Sequence, residues 1–564
     1  MRVRWRRVAL IMTLGTHVGC GSGSQGSALR FDVRYDKALS ATPLDGRLLV
    51  MLNPDSTPEP RFAAGGLRGG PPFFGVDVEA WKPGTPATVD GQAQGFPLAN
   101  LAEIPVGDYY VQALLNLYTT FRRSDGAVVK LHMDQWEGQN WRLSPGNLVS
   151  EPVKVRLDPR RGGTVNITLT KRLPPIDPPK DTKYIKHLRL KSELVSKFWG
   201  RDMYLGASVV LPEGYEEHPN ARYPVAYYQE HFAPTLGLAF REAPPDPNAK
   251  GGDSARQAMA YGAYREWTRA GFPRFLMVMT QDPNPYYDDG YAVNSANLGP
   301  YGDALIQELY PYVEKQFRAI GAPWARTLFG GSTGGWRTLA LQIFHPDFFN
   351  GAWAFCPDPV DFRYFSLINI YQDSNAYHPN NRWKTNPIRP LVRGIDDQVI
   401  TTQQEYSQLE ATLGSRGRSG QQLDVFQAVF GPRGEDGYTK LLYDKRTGAM
   451  DHSVVGYWRD HYDLRYILER DWATLGPKLR GKLHVYIGDM DTFFLDEAAR
   501  LLQQFLDGAK NPPADATFQW GARQPHCYAG IPEGRSFHTF HLPAMAAHVT
   551  KTAPPGADTR SWKY

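Results

Sequence analysis

The chain has 564 residues, of which 42% are hydrophobic and 21% charged, so it can bury a large core and is too apolar for a disordered chain. Its formal net charge of +5 is small for this length and forms no basic stripe, which argues against a nucleic-acid partner. The three cysteines, Cys20, Cys356 and Cys527, exclude a disulfide-rich scaffold and a cysteine-based zinc cluster.

Residues 1–27 have the pattern of a lipoprotein-type export signal followed by a tether. A segment rich in arginine precedes a short apolar core, and the sequence LGTHVGC that ends at Cys20 resembles a bacterial lipobox, with His17 where leucine is usual. We therefore expect an exported protein lipidated at Cys20; cleavage as an ordinary secretory signal is the alternative. The uninterrupted apolar segments later in the chain are too short to form a transmembrane helix. Membrane contact is therefore expected only through this lipid anchor.

Residues 28–173 predict an N-terminal β-sandwich domain. Short runs of alternating polarity are broken by glycine and proline segments, which is typical of strands joined by turns. These runs are Leu29–Tyr35, Arg47–Leu52, Gly75–Trp81, Asp108–Leu117 and Thr164–Thr170. No set of catalytic residues is visible here, so the region is expected to be a packing or binding module. The proline-rich residues 174–183 predict an extended linker.

From residue 184 to residue 548 the pattern changes to strands that alternate with helices. Nearly continuous apolar strands separated by helices indicate a mostly parallel sheet covered on both faces. The predicted strands are Gly206–Leu211, Tyr223–Gln229, Phe275–Thr280, Thr327–Phe329, Gly351–Phe355, Leu483–Ile487 and Ala516–Trp520. Residues 549–564 form a C-terminal tail.

A long segment, about residues 357–482, has no clear sheet strand and is biased toward helix. This segment follows the predicted strand Gly351–Phe355 and leaves the sheet from its carboxyl edge, so it should lie over that edge. We predict a helical lid that shapes a substrate pocket; the alternative is a peripheral helical insertion.

The sequence Gly330-Gly331-Ser332-Thr333-Gly334-Gly335 joins a short apolar run to an amphipathic helix pattern. A Gly-x-Ser-x-Gly turn between strand and helix is the nucleophile elbow of α/β-hydrolases. The serine sits on a sharp turn clear of the sheet, and glycines without Cβ let strand and helix pass closely. Ser332 is therefore the predicted nucleophile.

A serine nucleophile needs a histidine base and an acid that orients it, which follow the serine in the order acid, then histidine, in this fold. Asp491 lies in the turn after the strand at 483–487 and is the preferred acid, with Asp489 as the alternative. His526 follows the final strand in a loop and is the preferred base. His538 and His541 fall in a segment that looks helical, and His231 comes too early in the chain.

The predicted oxyanion hole uses two backbone N–H groups. One belongs to Thr333, at the start of the helix. The other should come from the loop after an early strand, with Phe232 and His231 as the residues named for it.

Several pieces together resemble the esterase family that contains enterochelin esterases and esterase D. They are Val209–Tyr215 (VVLPEGY), Arg222–Val225 (RYPV), Gln307–Tyr312 (QELYPY), the elbow and the Pro-His-Cys sequence that ends at Cys527. The resemblance runs from about Tyr184 to His548. It implies an α/β-hydrolase fold, a Ser-Asp-His mechanism without metal or cofactor, and ester substrates such as siderophore esters, acylated polysaccharides and S-formylglutathione. The chain departs from the family in its long insertion and in His231-Phe232, where relatives often carry Asp-Gly.

The sequence thus predicts an exported serine esterase that acts on a small-molecule or oligosaccharide ester. A serine peptidase like prolyl oligopeptidase is one alternative, although residues 28–173 lack the repeats of a propeller. A surface binding protein on an inactive hydrolase fold is another. Cys356 and Cys527 are interpreted as two free thiols, with a disulfide near His526 as the alternative.

Overall fold

The computed structural model describes residues 28–66, 69–231, 239–380 and 386–564. Two predicted positions, the lipidation site Cys20 and the oxyanion donor Phe232, lie outside these residues. In the part of the chain that is described, no helix has the length and apolar character needed to cross a membrane.

The region before the linker is rich in β-structure. Its elements are β1 (Leu29–Tyr35), β2 (Leu44–Asn53), α1 (Pro60–Ala63), β3 (Phe73–Trp81), β4 (Ala87–Val89), β5 (Gln94–Phe96), β6 (Gly107–Leu117), β7 (Thr119–Arg122), β8 (Val128–Leu131), β9 (Leu148–Val149), β10 (Val153–Leu157), β11 (Gly163–Leu169) and β12 (Lys171–Arg172). Strands β11-β1-β4 form one sheet, and β12-β9-β6-β2-β3-β5, with β10 added to β6, form another.

Both of these sheets contribute to one buried apolar cluster. Phe31 and Val33 come from β1, and Leu48 and Val50 come from β2. Alternate positions of each strand point to that cluster, as expected for side chains that alternate between the two faces of a strand. The arrangement does not establish the β-sandwich, which stays a prediction.

The second half of the chain is built on an eight-stranded sheet. Its elements are β13 (Ile185–Ser192), α2 (Glu193–Trp199), β14 (Met203–Val210), β15 (Val225–Gln229), α3 (Gly251–Trp267), β16 (Leu276–Gln281), β17 (Asn294–Ser295), β18 (Gly299–Pro300), α4 (Tyr301–Ala304), a π-helical stretch (Leu305–Leu309), α5 (Tyr310–Gln316), β19 (Arg326–Gly331), α6 (Thr333–Phe344), β20 (Ala352–Phe355), β21 (Pro390–Arg393), β22 (Val399–Thr402), α7 (Gln403–Leu413), α8 (Gln422–Phe430), α9 (Val455–Tyr462), α10 (Leu464–Leu479), β23 (Leu483–Gly488), α11 (Leu495–Gly508), β24 (Ala516–Gly521), α12 (Phe537–Phe540) and α13 (Leu542–Thr552).

The strand order is β13-β14-β16-β15-β19-β20-β23-β24. The first two pairings are antiparallel and all the later ones are parallel. The central strands are buried along their whole length because helices cover both faces, which explains their continuous apolar sequences. This is the predicted α/β-hydrolase sheet, and the carboxyl ends of β19, β23 and β24 meet at one edge.

The described residues of the segment 357–482 add no strand to the main sheet, and β21 and β22 pair with each other. Its last helix, α10, packs against α6 and α11 and so belongs to the helical layer over the sheet. Helices α7 and α8 lie earlier in the segment. At the C-terminus Trp562 is buried, and the hydroxyl of Tyr564 lies 2.9 Å from that of Tyr223.

The N-terminal region is joined to α7 through a buried arginine. Arg47, on β2, is 3% exposed and donates from Nε to the carbonyl of Thr412 and from a terminal nitrogen to that of Ala411, both at 3.0 Å. These carbonyls lie in the last turn of α7, where a helix lacks partners and a cation is favoured. Arg47 also contacts Asp77 at 3.2 Å. The guanidinium therefore serves as the cap of a helix from another part of the chain.

Replacement of Arg47 by alanine should destabilise the protein, because the carbonyls of Ala411 and Thr412 lose their donor. We expect the free energy of unfolding to fall by about 2–4 kcal/mol, measured by denaturant titration. Arg30→Ala on strand β1 is the control, since that side chain is 50% exposed and its removal should cost less than about 1 kcal/mol. Equal losses in the two variants would contradict a capping role for Arg47.

Candidate active site

Ser332 occupies the turn between β19 and α6 with φ 56° and ψ −122°. A non-glycine residue in this region costs about 1–3 kcal/mol, so the surroundings must hold it there. Close packing holds the backbone of the turn in place. A Cβ added to Gly334 would lie 2.0 Å from the carbonyl oxygen of Gln229, and one added to Gly330 would lie 2.4 Å from the same atom. Only glycine fits at either position, so the turn is fixed in the shape that exposes the serine.

The three residues predicted from the sequence lie in one chain of hydrogen bonds. His526 Nε2 is 2.9 Å from Ser332 Oγ, and His526 Nδ1 is 2.7 Å from Asp491 Oδ2. The distances suit proton transfer from the hydroxyl to the imidazole and orientation of the imidazole by the carboxylate.

In the loop after β23, Asp491 contacts His526 and Asp489 bonds elsewhere. Asp491 is fully buried, and its Oδ1 accepts the N–H groups of Phe493 at 2.9 Å and Leu495 at 3.3 Å. This leaves Oδ2 for the imidazole. Asp489 instead accepts the N–H of Arg523 at 2.6 Å. It thereby steadies the loop that carries His526.

Close packing also joins the loops that carry Asp491 and His526. A Cβ on Gly488, at the end of β23, would lie 2.1 Å from the carbonyl oxygen of Gln524. Because β23 and β24 are adjacent and parallel, their following loops leave the sheet at the same edge. The acid and the base are therefore neighbours through sheet topology although they are 35 residues apart in the chain.

The surroundings of His526 favour its charged form. Burial lowers the pKa of His526, but the charge of Asp491 and its hydrogen bond outweigh that effect and raise the pKa well above 6.5. An imidazole that acts as a base must be neutral. The fraction of His526 that can act as a base therefore increases as the pH rises through this pKa.

The backbone N–H groups predicted for the oxyanion hole differ in whether they already have a hydrogen-bond partner. The N–H of Thr333 is the first of α6 and belongs to the groups that a helix leaves unsatisfied. The N–H of His231 is used, because it donates to Glu230 Oε1 at 2.9 Å. Phe232 lies outside the described residues.

The two later histidines do not contact Ser332. Burial lowers the pKa of His538 to about 4, and its ring packs edge-on against Tyr228. His541 Nε2 lies 2.8 Å from the carbonyl oxygen of Ala529, which gives it a structural partner.

Ser332 opens into a cavity of about 250 Å³. Much of its wall is apolar, and most of the wall comes from the segment 357–482. The lining residues are His231, Tyr287, Ser332, Asp358, Pro359, Ser366, Leu391, Tyr406, Gln422, Leu423, Phe426, Phe493 and Leu495. The lid stays a prediction, but the segment does form the pocket wall.

Sequence reasoning missed Asp358, an acid that lies beside the nucleophile. Its Oδ2 accepts hydrogen bonds from Tyr291 at 2.7 Å and Thr333 at 2.9 Å, and its Oδ1 is 3.4 Å from Ser332 Oγ. Burial raises the pKa of Asp358, while these hydrogen bonds lower it and only partly offset the effect. Its position just after β20, at the carboxyl edge of the sheet, was the available signal.

A buried network of charges lies beside the pocket. Arg337, on α6, contacts Asp282 at 2.6 Å and Asp289 at 3.5 Å, and His231 lies 3.1 Å from Asp288 and 3.2 Å from Asp289. Burial lowers the pKa of His231, but the charges and hydrogen bonds of Asp288 and Asp289 outweigh this effect and raise the pKa well above 6.5.

Two groups of side chains bring three metal-ligand atoms within 4.8 Å of one another: Cys356, His526 and Cys527, and His231, Asp288 and Asp289. The second group is already paired as described. Cys356 and Cys527 are free thiols, in line with the preferred interpretation. The hydrogen bond from the Cys356 thiol, together with His526, lowers the pKa of Cys527 to about 6, against burial.

The sheet order, the strained serine turn and the acid and histidine in the loops after β23 and β24 define an α/β-hydrolase of the serine type. Residues 196–387 match a family model described as "Putative esterase". The match agrees with the resemblance to an esterase family and, together with the site, supports a serine hydrolase of carboxylic esters.

Solved structures similar to this chain include a ferulic acid esterase, with 15% identity, 65% of this chain and 98% of that chain covered, and a TM-score of 0.37. An S-formylglutathione hydrolase from Agrobacterium tumefaciens has 12% identity, coverage of 66% and 97%, and a TM-score of 0.32. The serine hydrolase FphF from Staphylococcus aureus has 14% identity, coverage of 65% and 98%, and a TM-score of 0.32. Likeness at this level carries no inference about activity. No curated protein matches the sequence.

The charge of Asp491 should set the pH dependence of ester hydrolysis. For p-nitrophenyl acetate, we expect kcat/KM to rise with pH through a midpoint above 6.5, because only neutral His526 can take the proton of Ser332. Asp491→Asn removes the main charge that raises this pKa. It should therefore shift the midpoint to lower pH and reduce kcat by up to about 10⁴-fold.

Asp489→Asn is the matched control, since Asp489 is in the same loop but bonds Arg523. It should leave the midpoint in place. A shift in the Asp489 variant with none in the Asp491 variant would reverse the assignment of the acid.

Proposed function

We propose that the protein is an exported serine esterase whose catalytic residues are Ser332, His526 and Asp491. The observation that carries this proposal is the chain of hydrogen bonds from Ser332 Oγ through His526 to the buried Asp491. A hydroxyl is a weak nucleophile at its own pKa, and this arrangement supplies the base and the acid that it needs.

In the proposed reaction Ser332 Oγ attacks the ester carbonyl while His526 takes the hydroxyl proton. The carbonyl oxygen becomes an oxyanion, stabilised by the N–H of Thr333 and by a second donor that we assign to Phe232. His526 then gives the proton to the leaving alcohol, and an acyl-enzyme remains. Water, deprotonated by His526, attacks the acyl-enzyme and releases the acid. Asp491 holds the imidazole tautomer throughout.

The cavity supports a preference for small acyl groups. A space of about 250 Å³ with apolar walls can enclose a short acyl chain or one ring, whereas an oligosaccharide must remain outside it. We therefore place the acyl part of the substrate in the cavity, and the alcohol part, whether a siderophore or a carbohydrate, at its mouth.

A peptidase like prolyl oligopeptidase is the second candidate, since it uses the same arrangement of serine, acid and histidine. The N-terminal sheets do not favour it: the described strands form one three-stranded, one seven-stranded and one two-stranded sheet and show no repeated blades. Turnover of a peptide p-nitroanilide at a rate near that of the matching ester would favour the peptidase.

Export and lipid attachment at Cys20 complete the proposal and rest on the sequence alone. Cells that express the full chain should incorporate labelled palmitate into the wild type and not into Cys20→Ser. Unlabelled wild-type protein found at the size of the signal-cleaved chain would favour ordinary secretion.

Ser332→Ala tests the nucleophile. We expect its kcat for p-nitrophenyl acetate to fall by at least about 10⁴-fold, because the remaining groups can bind but cannot form an acyl-enzyme. A fluorophosphonate should label the wild type and not the variant. The circular dichroism spectrum is the control for folding.

The same pair of assays addresses the inactive binding protein. A wild-type chain that neither turns over esters nor takes up the fluorophosphonate would show that the arrangement is present but without activity. Ester turnover retained by Ser332→Ala would remove Ser332 from its assigned role.

A further inference from the structure

Asp358 presents one carboxylate oxygen to the reaction site and uses the other to hold the structure. Its Oδ2 accepts three hydrogen bonds, from Tyr291 at 2.7 Å, Thr333 at 2.9 Å and Gln422 at 3.4 Å. Its Oδ1 has one partner among the described residues, the hydroxyl of Ser332 at 3.4 Å. The residue is 5% exposed and lines the cavity.

The hydroxyl of Ser332 has a single hydrogen, and both His526 Nε2 and Asp358 Oδ1 are within reach of it. When His526 is protonated, its Nε2 donates to Ser332 Oγ, which is free to donate to Asp358. When His526 is neutral, the hydroxyl must donate to Nε2 for the reaction to start. In that reactive state Oδ1 loses its donor, and a buried charged acceptor without a donor is costly.

We propose that the substrate supplies this donor, and that Asp358 selects esters of α-hydroxy or α-amino acids. This inference rests on the proposed function of Ser332. In the acyl-enzyme, Ser332 Oγ is bonded to the carbonyl carbon, which is bonded to the α carbon. A hydroxyl or ammonium group on that α carbon is therefore close to Oγ, and Asp358 Oδ1 is 3.4 Å from Oγ. Rotation about the bond between the carbonyl and α carbons brings the group into hydrogen-bond range.

The two donors share one chemistry, a polar hydrogen on the α carbon, but differ in charge. A hydrogen bond to a charged partner corresponds to roughly 10- to 100-fold in rate. A plain acyl chain gains nothing from Oδ1 and leaves it without a partner, so discrimination against such a chain is the expected signature.

The test uses p-nitrophenyl esters of propionate, lactate and alanine, which share a three-carbon skeleton. The measured value is kcat/KM for each ester, divided by its own hydroxide-catalysed rate to remove differences in intrinsic reactivity. For the wild type we expect lactate or alanine to exceed propionate by about 10- to 100-fold. Preference for lactate alone identifies a hydroxyl ligand, and preference for alanine alone identifies an ammonium ligand.

Asp358→Asn is the decisive variant. Its amide oxygen can still accept from Tyr291, Thr333 and Gln422, while its NH₂ replaces the acceptor that faces the substrate. We expect the preference over propionate to collapse to within about threefold. Asp288→Asn, which removes a nearby carboxylate that contacts His231 and not Ser332, should keep it. If the Asn variant does not fold, Asp358→Glu displaces Oδ1 and should reduce the same ratio.

Two results would overturn the inference. One is a wild type that hydrolyses propionate as well as the other two esters. The other is an Asp358→Asn variant that slows all three esters equally, which would give Asp358 only a role in positioning Thr333. Either can occur while the wild type still hydrolyses the propionate ester and is labelled by a fluorophosphonate. Failure of this inference is thus distinct from failure of the proposed function, in which both of those signals disappear.

Discussion

The site depends on how closely β19 and α6 pass the carbonyl of Gln229. The backbone of Ser332 is held at φ 56°. The packing around the turn holds this strained conformation, because Gly330 and Gly334 lie so close to the carbonyl of Gln229 that a Cβ would not fit. The same contact sets the direction of α6 and therefore the N–H of Thr333. A single steric constraint thus places Ser332, the proposed nucleophile, beside the N–H of Thr333, the proposed oxyanion donor.

Buried charge fixes the other side of this turn. Arg337 is fully buried on α6; burial lowers its pKa, but Asp282 and Asp289 raise the pKa above its usual value, so the guanidinium stays charged. Burying such charges is costly, and their mutual attraction repays this only when the geometry is good. The network joins α6 to the loop after β16, which also carries Tyr291 and thereby reaches Asp358. Its role is to hold the elbow helix against that loop.

The sequence was sufficient to predict the α/β-hydrolase fold, which is confirmed, and to name Ser332, Asp491 and His526, which the structure brings into hydrogen-bond contact. These predictions were possible because turn chemistry is local and because chain order in this fold places acid and base after particular strands. Asp358 and the pocket wall could not be predicted, since their positions depend on how residues 357–482 pack. Asp491 was preferred to Asp489 from the sequence, and the loop contacts agree, because Asp491 lies against His526 whereas Asp489 accepts the N–H of Arg523.

The N-terminal region contains no reacting atom, yet it supports the pocket wall. Arg47 donates to the carbonyl of Thr412 in α7. The carbonyl of Gly95 accepts a hydrogen bond from Gln408 in the same helix. Helix α7 in turn holds α8, because Glu410 accepts the N–H of Leu423 at 2.7 Å. Tyr406 of α7 and Gln422 and Phe426 of α8 line the cavity. These contacts tie the wall of the cavity to the β-rich region, which thus acts as a scaffold for helices α7 and α8.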